Sequence, residues 1–444
     1  MIDSLKKIAV DLTPILPGGE NGGAKIFVLE LLCQLAKLTP GTEFILLTQA
    51  ASHAELKAME CPNIKCVMVL GHSVKKTSLF GILSSILGKT PFVGRRFGAL
   101  AYRINTLFKR RQAYSLLRNI KANLLFCPFT APTYYEAGIP TVCTIYDLQY
   151  KTYPEFFKTE ELIHRNQTFI EACRRATMLT AISEYSRQSV LKHSEIQPEK
   201  IRTIHLQMAH RIRSDSDIEQ DKSILSRLGL TPQQYLLYPA NFWKHKNHEM
   251  LLTAFGIACR GNLPATIKLV CTGAEGPRQD WLKEAAAMMK LGERVLFPGF
   301  LSDAELGVLL TNSMAVIYPS LYEGFGLPVI EAMAAGIPVA CSNLTSLPEI
   351  AGDAALVFNP RIPTQLAKVM VTLTTDKEVR LSLITAGKKR AQLFSDSSRM
   401  AQEYWSLFQQ ALAEEIPLTI QRAGGKQHND ESIELISGKN LHEN

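Results

Sequence analysis

Between Tyr318 and Asn343 the chain reads YPSLYEGFGLPVIEAMAAGIPVACSN, and this stretch constrains the fold more than any other. An apolar strand end (Val316, Ile317, Tyr318) runs into a turn-rich loop, then a helix with Pro328 near its first position and Gly336 past its end. Proline suits a first helical turn because the N–H it lacks has no partner there. Glycine suits the left-handed residue that ends a helix. A second buried strand follows at Ile337, Pro338, Val339 and Ala340. Strand, helix and strand in that order form the repeating unit of a parallel sheet. Two carboxylates, Glu323 and Glu331, stand eight residues apart around the Gly324-Phe325-Gly326 turn. A helix N-terminus with free N–H groups suits a phosphate, and a nearby carboxylate can accept two sugar hydroxyls at once. Either glutamate taken alone also fits an ordinary strand–helix–strand unit with a solvated loop side chain.

The same alternation recurs along the chain, and 444 residues are too many for one core, so two domains are expected. A buried strand at 6–12 leads into the glycine-rich turn Pro17-Gly18-Gly19-Glu20-Asn21-Gly22-Gly23 and a helix from Ala24 to Leu38. Such a turn lets backbone approach a diphosphate or a sugar, and a plain tight turn reads the same way. Strands follow at Phe44–Thr48, Ile64–Val69, Leu124–Cys127, Thr141–Tyr146 and Met178–Ala181. Tyr146 and Asp147 stand at a strand's C-terminal end, where ligands bind in open α/β sheets. Ser183 opens a helix in the same topological place, and as an N-cap it needs no other role. The polar segment 211–234 reads as an interdomain linker or entry helix. Beyond it, YLLYPANFWKHKNH, IKLVCTGAEG and RVLFPGFLS begin a second set of six strand–helix alternations. The expected domains are 1–210 and 211–395, with a helix in 396–416 crossing back and a disordered polar tail from 417 to 444.

Charge is distributed unevenly. Between Glu60 and Glu136 there is no acidic residue, but there are twelve basic ones, from Lys65 to Lys121. The net charge of +8 therefore belongs to this interval, and the rest of the chain is net −4. An anionic surface is the partner implied. Within it, residues 70–121 break the strand–helix pattern. Leu79, Ile82, Leu83, Ile86 and Leu87, then Phe97, Leu100, Ala101, Ile104, Leu107 and Phe108, give apolar helical faces flanked by arginine and lysine. Such helices lie in the headgroup region of a membrane. A core-packed helix pair with a solvated basic face fits the same pattern. Nucleic acid fits less well, because no recognition module is present and the remaining chain is acidic. The longest apolar runs are about ten residues, too short to span a bilayer, and no secretory signal is evident. Nine scattered cysteines without a CxxC pair point to reduced thiols in the cytoplasm, and the basic interval to a peripheral place on the inner face of the membrane. The ten histidines show no metal-ligand spacing.

Taken together, residues 235–360 resemble the retaining glycosyltransferases of family 4. The matching elements are Lys246-Asn247 before a Leu-rich helix, Gly273, the PGFLSD turn at 298–303 containing Leu301, the 318–343 stretch, and LPEI at 347–350. Gly18-Gly19, TIYDL (144–148) and AISEYSR (181–187) extend the likeness more loosely to the N-terminal half. The resemblance implies the α/β GT-B fold: two facing Rossmann-like, doubly wound domains with an interdomain cleft. It also implies roles. Glu323 would bind donor-sugar hydroxyls, Glu331 the ribose, and the N–H groups of Phe325, Gly326 and Leu327 the diphosphate or sugar. Lys246 would neutralise the leaving diphosphate, Gly18 and Gly19 would close the site, and Gly273 and Leu301 would complete the donor pocket. No metal or other cofactor is implied, because lysine and arginine take the metal's place.

Two departures stand out. Asn241 occupies a position where the family commonly has arginine, which leaves Lys244 to supply charge, and Tyr146 replaces the histidine of the family's TxHDL motif. Tyr146 and Asp147 join Glu323 and Lys246 as the catalytic set. The expected activity is transfer of a hexose from a nucleotide diphosphate sugar to a glycan or glycolipid acceptor in surface polysaccharide synthesis. YPANFWKHKNH and IYDLQ are similar to mannosyltransferases of such pathways, which points to GDP-mannose as donor. A nucleotide-sugar-binding protein with lost or altered transfer is the alternative that Asn241 and Tyr146 leave open.

Overall fold

The computed structural model describes residues 5–18, 22–71, 116–209 and 223–424, with the side chains of the last stretch covered from 224 to 414. Gly19, the helices expected within 79–108, most of the basic interval, residues 211–222 and the tail from 425 lie outside the described residues.

Two parallel sheets organise the chain. The first holds seven strands: β1 (Lys7–Asp11), β2 (Glu43–Gln49), β3 (Ile64–Leu70), β4 (Leu124–Cys127), β5 (Thr141–Ile145), β6 (Met178–Ala181) and β7 (Ile201–Thr203), in the order β3-β2-β1-β4-β5-β6-β7. The second holds β8 (Tyr235–Pro239), β9 (Lys268–Thr272), β10 (Val295–Gly299), β11 (Ala315–Tyr318), β12 (Val339–Ser342) and β13 (Leu356–Phe358), in the order β10-β9-β8-β11-β12-β13. The central strands LLFC, TVCTI, MLTA and VACS are buried at every position, as continuous apolar runs must be when helices cover both faces of a sheet. Each is a doubly wound, Rossmann-like domain. All nine cysteines are free.

Strand order fixes where a ligand can sit. The winding reverses between β1 and β4 in the first sheet and between β8 and β11 in the second. At such switch points the loops leaving adjacent strands diverge and open a crevice. The loops after β8 and β11 are the ones that carry Lys246 and Glu323.

Two crossings join the domains side by side. Ala209 N–H donates to the Phe394 carbonyl at 3.0 Å, and Asp396 N–H to Gln207 Oε1 at 3.2 Å. The return helix, Ser397–Gly424, packs on helix α1 (Gly22–Leu38) of the first domain. There Tyr404 lies within hydrogen-bond distance of Thr144 and Thr180, at 3.4 and 3.3 Å, and meets Phe126 and Phe408 edge-on. This helix runs through Pro417 rather than stopping before it. Proline deletes one helical hydrogen bond and crowds the preceding turn, which bends a helix without necessarily ending it. Among the described residues no helix is long and apolar enough to cross a membrane.

The two domains meet closely. A Cβ on Gly324 would lie 2.4 Å from the Tyr146 carbonyl oxygen, and one on Gly23 would lie 2.9 Å from Leu327 Cδ1. Only glycine allows that approach without displacing a neighbour.

Candidate active site

The site is built around one buried ion pair. After β8 the chain makes a short 3-10 turn, Lys244–Lys246, and Asn247 then takes the left-handed conformation (φ 62°) that opens helix His248–Arg260. Asparagine tolerates that conformation, and here its side chain also ties two loops by donating to the carbonyls of Pro319 (3.1 Å) and Pro360 (2.9 Å). The Tyr238 hydroxyl donates to the Lys246 carbonyl at 2.7 Å, and Leu321 N–H to the His245 carbonyl at 2.7 Å. So pinned, Lys246 is 8% exposed, and its Nζ reaches Glu323 Oε1 at 2.6 Å and the Tyr318 hydroxyl at 3.1 Å.

The electrostatics follow from this burial. Burial alone would push the Glu323 carboxyl up, but the Lys246 ammonium and hydrogen bonds from Lys246 and Ser320 outweigh it and hold the group below the usual glutamate range. Burial, reinforced by Lys246, pushes the half-buried His245 imidazole down to about 4, so it is neutral at pH 7. Burial and then the Glu323 and Glu331 carboxylates raise the Tyr318 phenol, which stays protonated. The loop carrying Glu323 is held from behind. Glu323 N–H donates to Thr345 Oγ1 at 3.0 Å, and Ser346 Oγ donates to the carbonyls of Glu323 and Phe325, both at 3.0 Å.

Helix Leu327–Ala334 begins immediately beyond. Gly326 precedes it at φ 104°, Pro328 sits in its first turn, and Gly336 at φ 72° follows its end. The side chain of Leu327, its first residue, lies against Gly23 in the first turn of α1, so the N-terminus of α1 approaches the helix from the first domain. Two helix N-termini thus come near one another, and a helix N-terminus carries partial positive charge that suits a phosphate. Phe325 contributes backbone only, because its ring is 3% exposed and packs on His205 and Phe394. Glu331 lies buried on the second turn, near enough to Tyr318 to act on its phenol.

The opposite wall comes from the end of β5. Burial pushes the Asp147 carboxyl up, partly offset by the Gln149 N–H that donates to it at 2.9 Å; Glu323 and Lys246 lie close enough to act on it as well. Tyr146 turns its ring between Phe27 and Phe129, and its buried hydroxyl has no hydrogen-bond partner among the described residues. Its carbonyl accepts from Ser186 Oγ at 2.8 Å and faces Gly324. Gly18 is left-handed (φ 69°), and its loop is tied back to the first domain: Gly18 N–H donates to Glu55, and Lys25 Nζ donates to the Gly18 carbonyl.

The remaining sequence candidates cluster at the ends of β8, β9 and β10. Asn241 Oδ1 accepts from Ala274 N–H at 2.9 Å, which joins the loops after β8 and β9. Gly273 is required there, since a Cβ would sit 2.7 Å from the Ala240 carbonyl oxygen. Lys244 is exposed beside this loop, whereas the Leu301 side chain belongs to the core and leaves its backbone for any ligand. Among the described residues no three His, Cys, Asp or Glu side chains gather as a metal-binding group. The sequence alone marks Gly23 and Tyr318 only as turn and strand-end residues and does not mark Thr345 and Ser346. The LTS that precedes LPEI is the one local sign that could have done so.

Tyr146→Phe is expected to keep turnover within about twofold and to leave stability unchanged or slightly higher, because a buried hydroxyl without a partner costs about 1–3 kcal/mol. Steady-state rates and thermal melts check this, and a large loss of turnover would place the hydroxyl in the chemistry.

Known proteins resemble this chain. Residues 222–390 match the family described as Glycosyl transferases group 1, and residues 21–206 match Glycosyltransferase Family 4. The O-antigen chain mannosyltransferase B of Escherichia coli is 30% identical over 331 residues, covering 73% of this chain and 82% of that protein. A crystal structure of Anabaena Alr3699/HepE in complex with UDP and glucose superposes with a TM-score of 0.64 at 17% identity, covering 90% of this chain and 99% of that one. WaaG, a glycosyltransferase involved in lipopolysaccharide biosynthesis, superposes at 0.61 with 16% identity, covering 90% and 99%. With both halves matched in order and a relative aligned over most of its length, the chain belongs to the family 4, group 1 glycosyltransferases of GT-B fold.

Proposed function

We propose that this protein transfers a mannosyl residue from GDP-mannose to a glycan or glycolipid acceptor in surface polysaccharide synthesis, with retention of the α configuration. The observation that carries the reading is the Lys246–Glu323 pair, 2.6 Å apart and buried in the loops before helix Leu327–Ala334, whose first residue meets α1 of the other domain. A lysine so placed has more charge than structure demands, and an entering diphosphate gives it a better partner. Lys246 then leaves Glu323 for the leaving phosphate, where negative charge grows as the glycosidic bond breaks. Released from the lysine, Glu323 accepts the donor-sugar hydroxyls and supports the cationic anomeric carbon. Glu331 holds the ribose, and the N–H groups of Phe325, Gly326 and Leu327 hold the diphosphate. Asp147, its ionisation resisted by burial, faces the sugar from the other domain.

In the transfer step the bond between the anomeric carbon and the phosphate oxygen breaks, and the acceptor oxygen bonds to that carbon on the same face. The acceptor's proton goes to the departing phosphate oxygen, so no enzymic nucleophile is needed. Charge neutralisation falls to Lys246, Lys244 and the two helix ends rather than to a metal ion. Mannose and a polysaccharide acceptor are supported by the relative named an O-antigen chain mannosyltransferase. That relative is named for transfer, which favours transfer over nucleotide-sugar binding alone.

The acceptor side is the first domain, whose basic interval fits a cytoplasmic membrane face rich in anionic lipid. Sedimentation with anionic liposomes is expected at low salt and release at high salt; no sedimentation at low salt would remove the membrane from the account. For the chemistry, Lys246→Ala and Glu323→Gln are each expected to lower kcat by about 100-fold or more with GDP-mannose, the loss typical for one transition-state charge partner. Circular dichroism controls for folding, and NMR of the product is expected to show the α anomer. Wild-type turnover in both variants would refute the site, and a β product would refute retention.

A further inference from the structure

Away from the donor pocket, the carboxylate of Glu349 crosses from the second domain to the first. It stands on the short helix Leu347–Ala351 and accepts from the first two N–H groups of helix Glu184–Lys192: Glu184 N at 2.7 Å and Tyr185 N at 2.9 Å. Its Oε1 also lies 2.7 Å from Nε2 of His205, in the segment that leaves β7 for the second domain. Arg390 donates to the carbonyls of Glu349 and Ile350, which fixes the carboxylate's own backbone. Burial would raise the Glu349 carboxyl, yet His205 and the two N–H groups hold it low, so it remains ionised at neutral pH.

Two further links start from the same parts. The helix that Glu349 holds begins at Ser183, whose Oγ donates to the Gly324 carbonyl at 2.6 Å, while Ser186 Oγ donates to the Tyr146 carbonyl at 2.8 Å. That helix end therefore fixes both sides of the closest approach between the domains. The His205 ring packs on Phe325 of the donor loop (6.3 Å between centroids) and on Phe394 (5.7 Å), which themselves meet at 5.7 Å. Phe394 lies where the chain crosses back, so the donor loop touches both interdomain crossings through one aromatic cluster.

We infer that Glu349 and His205 form a positioning latch that holds the cleft closed and couples its closure to the donor loop. Neither residue touches the reacting atoms. Glu349 pins the Ser183 helix to the second domain, the helix sets Gly324 against Tyr146, and His205 carries the same registration to Phe325. In this arrangement Lys246, Glu331 and the N–H groups of Phe325 to Leu327 lie on the second domain and the first domain adds only the end of α1, so the latch governs turnover more than nucleotide affinity. Its kinetic consequence rests on the transfer reading proposed above, whereas its effect on domain separation does not.

The experiment compares the full-length wild type with Glu349→Ala, His205→Ala and His205→Gln, the last keeping an N–H donor. In GDP-saturated solution, small-angle X-ray scattering is expected to show a larger radius of gyration for Glu349→Ala and His205→Ala, with His205→Gln at the wild-type value. Calorimetric affinity for GDP is expected to stay within about twofold, while kcat falls about 10- to 100-fold, the range for misplaced reacting groups. A lowered melting temperature with wild-type radius and kcat would make the contact merely structural and overturn the latch. Loss of GDP affinity in step with kcat would overturn it too, by placing Glu349 in the donor site. If Glu349→Ala does not fold, the two His205 variants decide alone. If the wild type itself shows no transfer, the transfer reading falls and the scattering comparison still judges the latch.

Discussion

The ion pair between Lys246 and Glu323 is the constraint on which the rest of the structure depends. Each side chain keeps about a tenth of its exposure, 10% and 11%, among the rings of Tyr238 and Tyr318. Removing two charges from water costs several kcal/mol per ion, so a pair of this kind contributes little to stability, and breaking it typically costs about 3–5 kcal/mol. A chain selected for stability alone would do as well with packed apolar residues. What the pair supplies is an ammonium and a carboxylate held ready at a switch point. Much of the surrounding structure serves to hold them there: the left-handed Asn247, its bonds to Pro319 and Pro360, and the Thr345 and Ser346 hydroxyls behind the glutamate loop.

Closure of the cleft depends on what is missing from the chain. Gly324 and Gly23 sit where the domains touch, and Gly273 and Gly326 sit where loops of one domain touch; a Cβ at any of the four would fall within 3 Å of a neighbour. The polar contacts that fix the same interface are placed around those glycines. Ser183 and Glu349 bridge the domains, Ser186 ties the same helix to the Tyr146 carbonyl, and Leu148 N–H donates to the Tyr322 hydroxyl at 3.3 Å across the gap. Donor loop, domain contact and interdomain crossing are therefore parts of one packed unit.

Much of this was legible in the sequence, and for identifiable reasons. Strands such as Leu124–Cys127 and Met178–Ala181 were read to the residue, because each buried run starts sharply after a polar residue, Asn123 or Thr177. The strand–helix–strand at 316–342 was legible from Pro328 and Gly336, whose backbone preferences are local. What escaped was set by contacts between distant segments. The Phe325 ring turns to the interdomain aromatic cluster, and Tyr146 buries its hydroxyl among Phe27 and Phe129; neither direction is encoded within a few residues. Gly23 rather than Gly18 meets Leu327, a matter of how two rigid domains face each other. Glu349 and His205, 144 residues apart, carried no sequence signal beyond the LPEI motif itself. The return helix continues past Pro417, where the proline alone suggests an end.

A crystal structure with GDP bound would test the central claim most directly. The account predicts the diphosphate at the N-terminus of helix Leu327–Ala334, within hydrogen-bond distance of Lys246 Nζ and the N–H groups of Phe325 to Leu327. It also predicts the ribose hydroxyls on Glu331 and the Lys246–Glu323 contact opened. A nucleotide bound elsewhere, or bound there with Lys246 still paired to Glu323, would contradict it.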